Sequence, residues 1–82
     1  MTYDLFISEE ARHQLRTLPD EQRKNIGYRL QQLQEQFTGN VKKLEGQRGH
    51  YRLRVGSYRI LFRLIGDRIE VYAVKQRKEA YE

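Results

Sequence analysis

This 82-residue chain has no cysteine and no tryptophan, one proline and only two histidines. Without cysteine there are no disulfides and no thiolate metal sites, and His13 and His50 lie too far apart in sequence to form a metal set. Neither a metal nor any other cofactor is therefore expected, and a reducing, cytoplasmic setting fits. No apolar run approaches the roughly 20 residues needed to span a bilayer. Thr2-Tyr3-Asp4, following Met1, lacks the basic start and apolar core of a signal peptide. The expectation is a soluble protein with no membrane partner, organised as a single domain over residues 1–82 with a modest core.

What the chain does have is positive charge in one place. Residues 41–78 carry eleven Lys and Arg against three Asp and Glu, a net +8, whereas residues 1–40 carry five against six, a net −1. The overall balance of +5 favours nucleic acid or another acidic partner, although a third of the residues are charged and a solvated surface could use many of them.

The apolar spacing predicts the elements. Tyr3, Leu5 and Ile7 alternate with polar neighbours as a short opening strand. Ser8 is placed as an N-cap with Glu9 and Glu10 in the first turn, followed by a helix to about Leu18 whose apolar stripe is Ala11, Leu15 and Leu18. Pro19 breaks the helix and suits the first turn of a second one, in which Ile26, Leu30, Leu33 and Phe37 repeat at four, three and four. Thr38-Gly39-Asn40 stops it, with Gly39 suited to a left-handed cap. From Tyr51 the period becomes two. Tyr51 to Val55, Tyr58 to Ile65 and Arg68 to Val74 read as strands joined by tight turns at Gly56-Ser57 and Gly66-Asp67. The expected class is α+β: an N-terminal strand, a helical hairpin, then an antiparallel three-stranded meander with both helices on one sheet face. The neighbour of the first strand is not legible.

A two-residue turn at Gly56-Ser57 sets Arg54 opposite Arg59 and Arg52 opposite Leu61; one at Gly66-Asp67 sets Arg63 opposite Glu70, Leu61 opposite Tyr72 and Arg59 opposite Val74. One face then carries Arg52, Arg54, Arg59, Arg63, Glu70 and Tyr72, while Leu53, Ile60, Phe62, Val71 and Ala73 back onto the helices. Like charges facing across a strand pair destabilise by up to roughly 1 kcal/mol, so stability alone does not choose Arg54 opposite Arg59. Anion binding explains the cluster of Arg52, Arg54 and Arg59; a solvated basic face is the alternative. A cross-strand ion pair accounts for Arg63 and Glu70. Tyr51, Tyr58 and Phe62 read as core or core edge, His13 as an exposed helix residue and His50 as a loop residue just before the basic strand.

With these residues in order the chain resembles the RelE/ParE superfamily of bacterial toxins from toxin–antitoxin pairs, over nearly its whole length. The resemblance rests on the strand-helix-helix-meander order and on Lys43-Leu44-Glu45-Gly46. It rests also on the run from Tyr51 to Phe62 and on the closing Val74-Lys75-Gln76-Arg77-Lys78-Glu79-Ala80-Tyr81. Members of the RelE branch cut mRNA in the ribosomal A site with basic residues on the sheet face and a tyrosine near the C-terminus. Carried over, those roles fall on Arg52, Arg54, Arg59, Arg77 and Tyr81, with RNA contacts expected from Lys42, Lys43, Arg48, Lys75, Gln76 and Lys78. Gln76 stands where many relatives have a histidine, and an amide cannot shuttle a proton.

The resemblance thus implies a ribosome-dependent endoribonuclease. Attack by the RNA 2′-hydroxyl would leave a 2′,3′-cyclic phosphate, and arginines would hold the extra charge of the transition state without a metal. Tyr81 would serve as acid, base or stacking platform, the first two only with its pKa lowered by guanidiniums. The implied partners are a cognate antitoxin, the ribosome and its mRNA, and operator DNA only through the antitoxin complex. The alternatives are a ParE-like toxin that inhibits DNA gyrase by binding, and a non-catalytic RNA-binding module.

Overall fold

A computed structural model describes residues 2–76. The elements run β1 (Asp4–Ile7), α1 (Glu9–Arg16), α2 (Asp20–Gln36), β2 (Val41–Lys43), β3 (His50–Val55), β4 (Tyr58–Ile65) and β5 (Arg68–Gln76). The strands form one sheet in the order β1-β5-β4-β3-β2, in which β1 lies parallel to β5 and the other neighbours are antiparallel.

Ser8 caps α1 as its chemistry suggests, its hydroxyl accepting the Ala11 amide at 3.1 Å. The helix ends at Arg16, two residues earlier than the apolar stripe implies, because Thr17 serves as its C-cap and the turn tightens before Pro19. Pro19 occupies the N-cap of α2, immediately before its first helical residue. The left-handed residue that ends α2 is Phe37, at φ 53°, and not Gly39. A non-glycine residue in that region costs about 1–2 kcal/mol, and ring packing offsets it. The Phe37 ring meets Tyr3 at 5.3 Å, Tyr51 at 5.9 Å and Phe62 at 6.1 Å between centroids. Tyr51 in turn stacks on Phe62 at 5.5 Å.

The core lies between the helices and one face of the sheet. Ala11, Ile26, Leu30 and Leu33 from the helices join Leu53, Val55, Tyr58, Ile60, Phe62, Ile69, Val71 and Val74 from the strands. Each fully buried large side chain contributes about 1.5–3 kcal/mol relative to exposure. Both helices thus sit on one side, α1 against β5 and α2 against β3. The other side of the sheet carries no helix among the described residues.

Three features depart from the sequence reading. The meander is flanked by β2, which pairs with β3; three residues, two of them lysine, carry too little alternation to announce a strand. The last strand continues to Gln76. Most consequentially, the β4–β5 ladder slips at Leu61/Phe62: Phe62 pairs with Val71 but Leu61 with Ala73, leaving Tyr72 as the extra residue of a β-bulge. Beyond the bulge, Arg59 faces Lys75 and not Val74, and Leu61 faces Ala73 and not Tyr72. Val74, paired with Ile60, joins the core, whereas Ala73 shares the opposite face with Leu61.

Candidate nucleic-acid interface

The two hairpin turns place the cationic side chains. Gly56 and Gly66 each supply the positive φ, 60° and 61°, at the first of two turn residues, the arrangement of a type II′ hairpin that fixes pairing on either side. Arg54 therefore lies opposite Arg59, and Arg59 opposite Lys75. Neighbouring strands are about 4.8 Å apart, so Arg54, Arg59 and Lys75 make a row of three cations roughly 10 Å across three strands. One rung further along β3, Arg52 lies opposite Lys42 on one side and Leu61 on the other, with Ala73 beyond Leu61. A basic row thus borders a small apolar floor. Arg52, Arg54, Arg59 and Lys75 are half-buried, which holds their heads near the sheet and lowers the local dielectric around any anion placed there.

The row contains two like-charge pairs in direct register, Arg54 with Arg59 and Arg59 with Lys75. Each costs up to roughly 1 kcal/mol relative to a neutral pair. An anion bridging them would reverse the sign of that cost, since guanidiniums bind phosphate oxygens in bidentate fashion.

The next rung along the same face is different in kind. His50 opens β3 and is not a loop residue; it pairs with Arg63, which pairs with Glu70. Tyr72, the extra residue of the bulge, is on this face, and its hydroxyl lies 3.0 Å from His50 Nδ1 with the rings edge-on at 5.5 Å. Burial pushes the Tyr72 phenol above its ordinary value, partly countered by the Arg63 charge, so the hydroxyl keeps its proton at neutrality. The expected ion pair between Arg63 and Glu70 is not formed. Glu70 Oε2 instead accepts from Arg68 Nε at 3.1 Å, and the Arg68 guanidinium lies 4.7 Å from the centre of the exposed Phe6 ring.

Of the residues expected to contact RNA, the structure gathers only some. Lys42 and Lys75 share the arginine face, but Lys43 pairs with Tyr51 and Gln76 with Tyr58, so alternation places both on the helix side of the sheet. Arg48 is exposed in the loop between β2 and β3, on the rim of a cleft of about 470 Å³ that Lys43 also lines. Arg77, Lys78 and Tyr81 lie outside the described residues. Among the described residues no cluster of three or more His, Cys, Asp or Glu is arranged to hold a metal, and no helix is long and apolar enough to cross a membrane. The pair that sequence reading missed is His50 with Tyr72. Its only signal was that both fall on the polar parity of their strands.

The family model described as ParE toxin of type II toxin-antitoxin system, parDE, matches residues 5–81. Toxin RelE3 of Methanocaldococcus jannaschii is 34% identical over 73 residues, covering 83% of each chain. The RelE–RelB antitoxin–toxin complex from Methanococcus jannaschii superposes with a TM-score of 0.80 at 28% identity, covering 93% of this chain and 94% of the other. The archaeal RelE–RelB complex from Pyrococcus horikoshii gives 0.80 at 26% identity, with 98% and 100% covered.

Proposed function

We propose that this chain, which belongs to the RelE/ParE superfamily of type II toxin–antitoxin toxins and to its RelE-like branch, is a ribosome-dependent mRNA endonuclease. The observation that carries this reading is the row of Arg54, Arg59 and Lys75, with Arg52 and Lys42 beside it, on the side of the sheet away from the helices. That row places permanent positive charge where a scissile phosphodiester would lie. The 2′-oxygen attacks the adjacent phosphorus, the bond to the 5′-oxygen breaks, and a 2′,3′-cyclic phosphate remains. Arg52, Arg54 and Arg59 stabilise charge on the equatorial oxygens, and Arg77 and Tyr81 complete the site. The ribosome would supply the in-line alignment that so sparse a site lacks. No step calls for a metal, and the setting is the cytoplasm.

A cognate antitoxin is the natural protein partner, as RelB is for the archaeal relatives, and the toxin would reach operator DNA only within that complex. In a reconstituted translation reaction with primer extension, the protein should produce new 5′ ends at the A-site codon only when ribosomes are present. Intact mRNA would overturn the nuclease reading. The ParE family description favours a second one, inhibition of DNA gyrase by binding, which a supercoiling assay would detect as relaxed plasmid persisting in the presence of the protein.

A further inference from the structure

In-line attack needs a group to take the 2′-hydroxyl proton, and the arginine row cannot supply it, since guanidiniums stay protonated. Imidazole is the side chain whose ordinary titration lies near neutrality, with carboxylates and phenols well to either side. The chain has two histidines. His13 is on α1, on the far side of the sheet. His50 is on β3 two residues before Arg52 and four before Arg54, hence on the same face, about 7 Å along the strand from Arg52 and about 13 Å from Arg54, so the phosphate it serves is one held on the Arg52 side of the row.

Its backbone is fixed from three sides: the His50 amide donates to the Gln47 carbonyl, its carbonyl accepts from the Leu44 amide at 2.9 Å, and the preceding Gly49 carbonyl accepts from the Leu64 amide at 2.8 Å. Gly49 sits at φ 78°, a conformation that a side chain there would strain. The ring is fixed as well, by the 3.0 Å hydrogen bond between Nδ1 and the Tyr72 hydroxyl. The charged and titratable groups around the ring are Arg63 across β4, Tyr72 and Glu70 on β5, Arg52 along β3 and Arg48 in the preceding loop. Glu70 is engaged by Arg68, which leaves Tyr72 as the group holding the imidazole.

We propose that His50 is the general base of the cleavage, with Tyr72 as its positioning residue. This rests on the nuclease reading and extends it. The role requires the tautomer in which Nδ1–H donates to the Tyr72 oxygen, which leaves the lone pair on Nε2. Nε2 takes the 2′-hydroxyl proton as the O2′–P bond forms and the P–O5′ bond breaks; water protonates the departing 5′-oxygen, and the imidazolium returns its proton to solvent. Tyr72 is the extra residue of the bulge, on the arginine face, where its hydroxyl meets the His50 ring.

The test is single-turnover cleavage on stalled ribosomes across pH, with excess toxin, for wild type, His50→Gln and Tyr72→Phe, each checked by its thermal melt. Wild type should speed up with rising pH and then level off. His50→Gln should lose about 100-fold in rate and lose that dependence, in line with removal of a general base. Tyr72→Phe should lose several-fold, keep the dependence, and release the imidazole from its single tautomer by nitrogen NMR. Folded His50→Gln that cleaves at the wild-type rate, or with the wild-type pH profile, overturns the proposal and leaves the nuclease reading standing. Wild type that cleaves at no pH overturns both. If His50→Gln does not fold, the Tyr72→Phe data decide: an unchanged rate and tautomer sink the proposal.

Discussion

The two faces of one sheet obey opposite rules. Along β3, Leu53 and Val55 are buried against the helices while Arg52 and Arg54, their immediate neighbours, are half-exposed on the other side. Along β4, Ile60 and Phe62 alternate with Arg59 and Arg63 in the same way. On the covered face each side chain fits its neighbours in shape and polarity. On the uncovered face like charges are placed in register, an arrangement that a bound polyanion would turn to advantage. Stability and recognition are thus separated by the pleat, with one residue assigned to each in turn.

That division can be broken most forcefully from the covered side. Phe62→Ala should cost about 3–5 kcal/mol in urea unfolding, because the ring is fully buried and touches both Phe37 and Tyr51; near-native stability would show that the core is not where the fold's energy resides. Arg59→Ala should do the reverse, lowering ribosome-dependent cleavage by at least about 100-fold while the protein still folds, since the residue lies on the side of the sheet away from the core. Loss of folding together with activity would make Arg59 structural. Arg54→Thr sharpens the same contrast, with a gain of up to about 1 kcal/mol at low salt that shrinks as ionic strength screens the repulsion. The smallest effect concerns pH. The Tyr72 phenol is raised in the fold, so its contribution is fully present below the ordinary phenol value and is lost as pH climbs through the folded one. Tyr72→Phe should therefore lose less stability than wild type as pH rises above about 10 in urea titrations, and parallel losses would contradict the burial of this hydroxyl.

How much of this was legible depended on how local its cause was. The pairing of Arg54 with Arg59 follows from a two-residue turn that the dipeptide Gly56-Ser57 announces, and the helix stripes follow from spacing alone. The left-handed residue at Phe37 was not legible, because the rings packed around it come from Tyr3 just before β1, from β3 and from β4. Nor was the bulge, whose extra residue has no composition signal, and with it went the register of Lys75 and the side on which Ala73 lies. Glu70 likewise chose Arg68, two positions away on its own strand, over the partner that simple pairing assigned. Lys43 and Gln76 were expected at the interface by their charge or polarity, but strand parity, not composition, decides which side a residue serves.

One consequence follows from the parallel pairing of β1 with β5, in which Asp4 meets Arg68 and Ile7 meets Val71. The earliest strand to be synthesised finds its neighbour only when the latest has emerged, so closure of the sheet waits on nearly the whole of translation. A nascent chain thus has its cations before it has the scaffold that aligns them.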